Sequence, residues 1–289
     1  MKILITGADG QLGKELQEIY PNYPQHNFFF ANRTTLDITD KTAIDNFFAE
    51  NQVEAVINGA AYTQVDKAES DQEKCFLVNA TGVEHIAKAC AKNNALLLHI
   101  SSDYVFDGTK TSPYLETDPT CPLGIYGESK LKGEQAALQN NPKTVIIRTS
   151  WLYARFGHNF LKTMLRLGKE RPTLTVVNDQ KGVPTFAGDL ATTLLSLIDQ
   201  SEKIQSPTLL QYVNEGECTW YDFACRIMEQ SGSDCKVSPI PSSAYPTPAK
   251  RPAYSLLSTA KIQKEFNIKT PHWTESADKC IKYLMSKNI

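Results

Sequence analysis

The sequence predicts an α/β fold, a doubly wound parallel sheet with a smaller substrate-binding lobe from the C-terminal half. In the first half, short apolar runs alternate with longer segments of helical periodicity, which is the pattern of βαβ units. The apolar runs are continuous rather than alternating, as expected for parallel strands that are buried on both faces. A glycine-rich turn directly follows the first run. Together these observations indicate an open parallel sheet with a ligand site at its edge.

The first half contains five predicted strands separated by helices. The strands are predicted at residues 2–7, 28–31, 55–59, 96–102 and 144–150. The helices are predicted at residues 12–20, 41–51 and 71–92, and in the segment that starts near residue 125. Because crossovers between parallel strands are right-handed, this alternation determines most of the topology.

The regular alternation of strands and helices ends after residue 150. A further strand is predicted at 173–179 and helices at 190–198 and 221–230, whereas the proline-rich segment 238–255 is predicted to be mostly loop. We therefore expect a sheet domain over residues 1–150. Residues 151–289 are expected to form mostly the substrate-binding lobe, with segments of about 173–214 returning to the sheet.

Composition restricts the classes of function. The 289 residues carry a formal net charge of −2, so no basic surface for nucleic acid is expected. Seven scattered cysteines without a CxxC pair indicate reduced thiols in a cytoplasmic protein. The first residues do not resemble a signal peptide, and no apolar run reaches the roughly 18 residues of a membrane span. The five histidines are dispersed, so no metal site is predicted.

The turn after the first strand has the spacing GxxGxxG, with Gly7, Gly10 and Gly13 before a helix. Glycines allow a tight turn and let a pyrophosphate approach the N–H groups at the helix N-terminus. A glycine triplet alone is weak evidence, but its position between a buried strand and an amphipathic helix strengthens it. Residues 1–150 are therefore predicted to be a dinucleotide-binding Rossmann domain.

The end of the second strand bears on cofactor choice. Sites that prefer NAD usually have an acid there, which binds the ribose diol, whereas this chain has Asn32 and Arg33. A guanidinium can pair with the 2′-phosphate of NADP, although Arg33 could equally be a solvated loop residue. Asp37 could contact the adenine or cap the following helix.

Small and polar residues follow the third and fourth strands. Gly59, Ala60 and Ala61 leave room for a cofactor ribose, or for helix packing. Ser102, Asp103 and Tyr104 come directly after the fourth strand. Ligands of open α/β sheets bind outside the carboxyl ends of the strands, so these residues are predicted to meet a substrate.

Tyr126 and Lys130 are four residues apart at the start of the helix predicted to begin near residue 125, so they share one helix face. An isolated YxxxK is usually a surface pattern. The functional alternative is a phenol whose pKa the neighbouring ammonium lowers, so that it exchanges protons near neutrality.

The glycine-rich loop, the strand-end serine and the YxxxK helix, in this order, resemble the short-chain dehydrogenase/reductase superfamily in its extended, sugar-nucleotide branch. The resemblance implies that Tyr126 is the proton donor, that Ser102 orients and polarises the carbonyl, and that Lys130 holds the nicotinamide ribose and lowers the pKa of the phenol.

Longer sequence segments make the resemblance specific to one family of this branch. "SSDYVFDG", "ETDPTCPLGIYGESKLKGE", "RTSWLYARFGHNF" and "NDQKGVPT" look like the dTDP-4-dehydrorhamnose reductase family, up to about residue 255. This resemblance implies NADPH as cofactor, with NADH also accepted, and a dTDP-sugar as substrate. The implied cofactor contacts are Gly7, Gly10, Gln11, Leu12, Gly13, Arg33, Asp37, Ile38, Ala60, Ala61, Tyr62, Thr63, Tyr126 and Lys130. The implied substrate contacts are Ser102, Asp103, Tyr126, Trp151 and Arg251, with a core role as the alternative for Trp151.

The chain departs from some members of that family. Ser102 stands where many have threonine, which keeps the hydroxyl. Some members bridge a dimer through Mg²⁺ held by acidic residues; Glu15 matches one of them, but Gly188 stands where another acid would be. We therefore expect no metal, and a homodimer stays open.

Two enzymatic alternatives and one non-catalytic alternative belong to the same branch. A 4,6-dehydratase would need a second carboxylate after Asp103, where this chain has Tyr104. A 4-epimerase usually keeps an acid after the second strand, where this chain has Arg33. A reductase-like regulatory subunit would bind without catalysis; the intact Ser102, Tyr126 and Lys130 favour an enzyme.

Overall fold

The computed structural model describes residues 1–287 of the chain. In chain order its strands are β1 (Lys2–Thr6), β2 (Asn27–Ala31), β3 (Ala55–Asn58), β4 (Leu96–Ser102), β5 (Thr144–Thr149), β6 (Leu152–Tyr153), β7 (Thr173–Val177), β8 (Lys181–Gly182), β9 (Thr185–Phe186), β10 (Thr208–Gln211), β11 (Cys218–Thr219) and β12 (Lys236–Ile240). Its α-helices are α1 (Gln11–Ile19), α2 (Lys41–Asn51), α3 (Val65–Ala68), α4 (Gln72–Phe76), α5 (Gly82–Lys92), α6 (Ile125–Asn140), α7 (Phe160–Glu170), α8 (Ala187–Asp199), α9 (Trp220–Ser231), α10 (Ala260–Phe266) and α11 (Trp273–Ser286).

The centre of the molecule is a six-stranded parallel sheet with the order β10-β5-β4-β3-β1-β2. The chain runs outward from β1 to β2 on one side and from β3 to β10 on the other. The order therefore reverses between β1 and β3, and ligands of such sheets bind outside the carboxyl ends of the strands at this point. The predicted doubly wound fold is confirmed.

All five strands predicted in the first half are present, with ends that differ by at most one residue. They were predictable because β3 and β5 are buried along their whole length, so both faces of each strand carry apolar residues. Side chains alternate between the two faces of the sheet: Ile3 and Ile5 pack with α1 and α8, whereas Leu4 packs with α2 and α5.

The second half contributes one strand and one helix to this sheet. β10 pairs with β5, and α8 packs on the sheet face that α1 also covers. β7, predicted as a further strand, pairs with β12 in a separate two-stranded sheet. This lobe has its own core, which includes Tyr153, Leu161 and Phe223. The division into domains at residue 150 stays a prediction.

Two sequence predictions hold, with local differences. The segment 238–255 is mostly loop as expected, but its first residues, 238–240, belong to β12, where Pro239 is tolerated because β7 is the one strand that pairs with β12. The helix predicted over 71–92 is helical from residue 72 to 92, but it changes from α4 to a π-helical turn at Leu77–Thr81 before α5. Asn79 lies in that turn and is fully buried. π-Turns inside helices are frequent at functional sites.

An ion pair inside the protein fixes α6 against the sheet. Arg148 on β5 donates from Nε and Nη2 to the two carboxylate oxygens of Glu134 on α6, at 2.8 and 2.7 Å. Both residues are buried. Because removal of one partner would leave an unpaired buried charge, this pair holds the helix of Tyr126 and Lys130 in one position over β5. Within residues 1–287, no helix combines the length and the apolar character needed to cross a bilayer.

Candidate active site

The turn between β1 and α1 is built from glycines that tolerate no side chain. Gly7 has φ = +70°, and a Cβ there would lie 2.7 Å from the backbone of Gly59 and Ala60. A Cβ on Gly13 would lie 2.5 Å from the carbonyl oxygen of Gly7. Gly10 is extended and precedes the first helical residue, Gln11. The first turn of α1 can therefore present its backbone N–H groups to a pyrophosphate.

At the end of β2, Arg33 and Asp37 form an exposed ion pair. Arg33 Nε lies 3.4 Å from Asp37 Oδ2, and the Arg33 side chain is 73% exposed. Asp37 Oδ1 also accepts hydrogen bonds from the backbone N–H and the hydroxyl of Thr39, at 2.9 and 2.8 Å. The cap of α2 is Asp40, which accepts from Ala43 N, so Asp37 is not the helix cap. Ile38 is buried against Gly82.

The loop after β3 is held by Asn79. The Asn79 amide accepts from Tyr62 N at 2.8 Å and donates to Tyr62 O at 3.0 Å. It also donates to Ser129 Oγ at 3.0 Å, and Ser129 Oγ donates to Tyr126 O at 2.7 Å. Asn79 thus connects the segment from Ala60 to Thr63 to the start of α6.

The hydroxyl of Ser102, the last residue of β4, connects the predicted catalytic residues. Ser102 Oγ donates to Asp103 Oδ1 at 2.9 Å, and the same hydroxyl lies near the phenol of Tyr126, whose pKa it acts to lower. Burial raises the pKa of Asp103 to about 6, while the nearby hydroxyls of Ser102 and Ser255 act in the opposite direction. The second carboxylate oxygen of Asp103 is buried without a partner among the described residues. Asp103 therefore keeps one buried acceptor that no described residue uses.

Lys130 lies under the same strand end. Its side chain is buried, and Nζ donates to the carbonyl oxygen of Ile100 on β4 at 2.7 Å. Burial lowers the pKa of Lys130 to about 8, while Glu134 acts in the opposite direction. An ammonium group has three N–H donors, so two are free to bind ribose hydroxyls.

The expectation that Lys130 lowers the pKa of the Tyr126 phenol is wrong for this structure. Burial raises the pKa of Tyr126, and the nearby hydroxyl of Ser102 only partly opposes that effect. The physical reason is that a phenolate loses its hydration when the side chain is enclosed. The phenol is thus kept protonated, which is the form that a proton donor requires.

Trp151 follows β5 at the same sheet edge. It has φ = +46°, a strained conformation for a bulky residue that costs about 1–3 kcal/mol. Its indole stacks on that of Trp220, with ring centroids 3.7 Å apart and planes inclined by 12°. Trp151 is therefore not a core tryptophan: both indoles are only half-buried.

Arg251 forms a bidentate ion pair with Asp66 of α3, with N···O distances of 2.9 and 2.7 Å. Its Nη1 also donates to Thr247 Oγ1 and to the carbonyl oxygen of Ala249. The implied contact of Arg251 with the substrate stays a prediction. In this arrangement a phosphate group would have to compete with the Asp66 carboxylate.

The residues around Glu15 do not fit a magnesium ion. Glu15 is fully buried, and Arg155 donates to both of its oxygens, from the backbone N–H at 2.9 Å and from Nε at 2.9 Å. The guanidinium thus neutralises the carboxylate. Within residues 1–287, no group of three or more His, Cys, Asp or Glu side chains is arranged to hold a metal.

Sequence reasoning missed Ser255, Trp220 and Asp66, which contact predicted site residues in the structure. Each is separated from its partner by more than 60 positions in the sequence, in a segment without a recognisable motif. A local pattern cannot reveal such contacts, because they depend on how the second lobe folds back over the sheet.

Comparison with known proteins gives a consistent result. The family model described as RmlD substrate binding domain matches residues 1–286, beyond the limit near residue 255 that the motifs suggested. dTDP-4-dehydrorhamnose reductase of Salmonella typhimurium is 42% identical over 289 residues, covering 94% of each chain. The crystal structure of a dTDP-4-dehydrorhamnose reductase from Clostridium acetobutylicum is 41% identical, with a TM-score of 0.95, and covers 99% of this chain and 100% of that one. That of Bacillus anthracis, in complex with NADP, is 36% identical with a TM-score of 0.93, covering 98% and 99%.

Proposed function

The chain belongs to the RmlD family of dTDP-4-dehydrorhamnose reductases, and we propose that it reduces the 4-keto group of dTDP-4-dehydro-L-rhamnose to give dTDP-L-rhamnose with NADPH, the last step of dTDP-rhamnose synthesis. The observation that carries the proposal is the Ser102, Tyr126 and Lys130 set at the carboxyl end of β4, beside a glycine turn that fits a pyrophosphate.

NADPH would be held by the first turn of α1 at Gly10, Gln11 and Leu12, by the loop from Ala60 to Thr63, and by Lys130; when bound it supplies the hydride. Asp37 and Ile38 border the adenine side in this proposal. The glycines Gly7 and Gly13 shape the turn by their close backbone contacts.

The chain's own residues bind the substrate and supply the proton. Ser102 donates a hydrogen bond to the carbonyl oxygen and orients the sugar, and Tyr126 delivers a proton to that oxygen as negative charge develops on it. The raised pKa of Tyr126 keeps the phenol protonated before the reaction. Asp103, Trp151 and Arg251 are proposed substrate contacts.

A dehydratase or epimerase of the same superfamily is less well supported. The residue after Asp103 is Tyr104, whose phenol has a pKa raised by burial and by the neighbouring Asp103, so it does not replace the second carboxylate of a dehydratase. A reductase-like regulatory subunit would not need the buried Lys130, whose desolvation is costly.

The decisive test follows the absorbance of NADPH in the presence of dTDP-4-dehydro-L-rhamnose. We expect oxidation of one NADPH per sugar and a product two hydrogen atoms heavier by mass spectrometry. dTDP-glucose, which has no 4-keto group, is the control and should cause no oxidation. Absence of NADPH oxidation with the keto sugar would contradict the proposal, and the same assay with a UDP-linked keto sugar would define the nucleotide.

Cofactor preference provides a further prediction. If Arg33 binds the 2′-phosphate, Arg33→Ala should raise KM for NADPH by about tenfold, or roughly 1.4 kcal/mol, because exposure and salt weaken a charge-assisted hydrogen bond. KM for NADH should stay nearly unchanged. Arg166→Ala, which removes another exposed arginine from an i,i+4 ion pair, is the matched control. Equal losses for both cofactors would mean that Arg33 only supports the loop through Asp37.

Location and assembly complete the proposal. A cytoplasmic enzyme agrees with the seven cysteines, all of which are free thiols. The homodimer stays a prediction, and with Glu15 paired to Arg155 it would form without a bridging Mg²⁺.

A further inference from the structure

Trp151 is held at the edge of the sheet by a strained backbone. It lies two residues beyond Thr149, whose register partner on β4 is Ser102. Its carbonyl oxygen accepts from Thr185 N at 3.2 Å, and the preceding Ser150 Oγ donates to Val183 O at 3.1 Å. Strained residues of this kind persist where the surroundings over-determine them, often at ligand sites.

The indole of Trp151 and the hydroxyl of Ser255 both lie against Gly182. A Cβ on Gly182 would lie 2.8 Å from Cε2 and Cζ2 of Trp151 and 2.8 Å from the hydroxyl of Ser255. Ser255 lies near Asp103 and acts to lower its pKa, and Asp103 Oδ1 accepts from the hydroxyl of Ser102. The six-membered ring of the indole therefore lies close to Ser255, which neighbours the carboxyl that accepts from the carbonyl-binding hydroxyl.

Trp220 supports Trp151 from the second lobe. It is the first residue of α9, next to a capping box formed by Thr219 and Asp222. Besides its stack on Trp151, it packs on Phe160 with ring centroids 4.7 Å apart. Phe160 stacks on Phe223, which is fully buried in the core of that lobe. The position of Trp220 is therefore set by a rigid helix and a packed core.

We propose that Trp220 is a positioning residue: it fixes the indole of Trp151 as the wall against which the deoxysugar ring is oriented toward Ser102 and Tyr126. This inference rests on the proposed function. It states that the stacked indoles of Trp151 and Trp220 recognise the apolar face of the sugar. Gly182 belongs to the same arrangement, because any side chain there would displace the indole.

The experiment uses Trp220→Ala, Trp220→Phe and, as a matched control, Trp273→Phe. The chain has three tryptophans, and only Trp151 and Trp220 stack on each other. Two stacked indoles produce an exciton couplet in circular dichroism. The couplet should disappear in both Trp220 variants and persist in Trp273→Phe, which reports directly on the stack.

Kinetics then separate positioning from a purely structural role. An aromatic pair contributes about 0.5–1.5 kcal/mol, so Trp220→Ala should raise KM for the dTDP-keto sugar by about threefold to tenfold. KM for NADPH should be unchanged, and Trp220→Phe, which keeps a ring against Trp151, should recover most of the loss. Thermal unfolding curves identify any variant that is not folded. If Trp220→Ala is not folded, Trp220→Phe provides the test.

Two results would overturn the inference. One is an unchanged KM for the sugar in Trp220→Ala despite loss of the couplet. The other is an equal rise of KM for sugar and NADPH in both Trp220 variants, which indicates general loosening of the lobe. Failure of the proposed function is distinguishable, because it appears as absence of turnover in the wild-type protein.

Discussion

Tyr126→Phe should lower kcat by about 10²–10⁴-fold, the usual contribution of a positioned proton donor. The substitution removes one hydroxyl from a partly buried ring, so the packing of the phenyl group against Tyr104 is kept. KM for NADPH and the binding of NADPH, followed by fluorescence titration, should change little. Steady-state kinetics at neutral pH with the dTDP-keto sugar provide the measurement.

Tyr104→Phe is the matched control for this prediction. Tyr104 lies next to Tyr126, with ring centroids 5.4 Å apart, and its pKa is also raised by burial. If Tyr126 is the donor, loss of the Tyr104 hydroxyl should leave kcat within a few-fold of wild type. Full turnover by Tyr126→Phe, or a larger loss of kcat in Tyr104→Phe than in Tyr126→Phe, would contradict the assignment of Tyr126 and favour Tyr104 as the proton donor.

The central sheet could be predicted from the sequence because it is buried on both faces. The strand at residues 144–149 has three consecutive apolar residues, Val145 to Ile147, and every one of its residues is buried, as expected for a central parallel strand. The π-helical turn within the 72–92 helix could not be predicted, because Asn79 there bonds to Tyr62, 17 positions earlier. Propensity indicates only that asparagine is unfavourable within a helix.

The site was predictable where its residues follow strand ends and less so where the second lobe contributes. Ser102 ends β4 and Trp151 lies just beyond β5, so the topology alone brings them to one edge. Trp220 and Ser255 reach that edge through the packing of α9 and of the segment before α10; the helix at 221–230 was predicted, but no sequence pattern indicates what it packs against. The pKa of Tyr126 was mispredicted because helix spacing reports which charges are near, whereas burial decides the cost of ionisation.

Lys130→Met should weaken the binding of NADPH and change the pH profile. An ammonium bound to ribose hydroxyls makes charge-assisted hydrogen bonds of about 1.5–3 kcal/mol each, so KM for NADPH should rise at least about tenfold. The wild-type kcat/KM should also fall as the pH rises through about 8, because Lys130 loses its proton there. The Met variant should lack this limb of the pH profile. Lys132→Met, two positions along the same helix and exposed, should retain both the KM and the pH profile of the wild type.

The folded-state pKa of Lys130 also predicts the sign of the stability change. It lies below the ordinary value of 10.5, so the unfolded chain binds this proton more tightly, and the stability of the wild type should rise between about pH 8 and 10.5. At pH 7 the buried ammonium destabilises the fold, by about 3 kcal/mol for a shift of this size. Methionine removes that penalty but leaves Ile100 O without the ammonium, at a cost of about 1–3 kcal/mol. Urea unfolding at pH 7 should therefore show Lys130→Met as stable as the wild type or up to about 2 kcal/mol more stable. A variant that is clearly less stable at pH 7 would mean that Lys130 serves the fold, and its loss of activity would then say nothing about the cofactor.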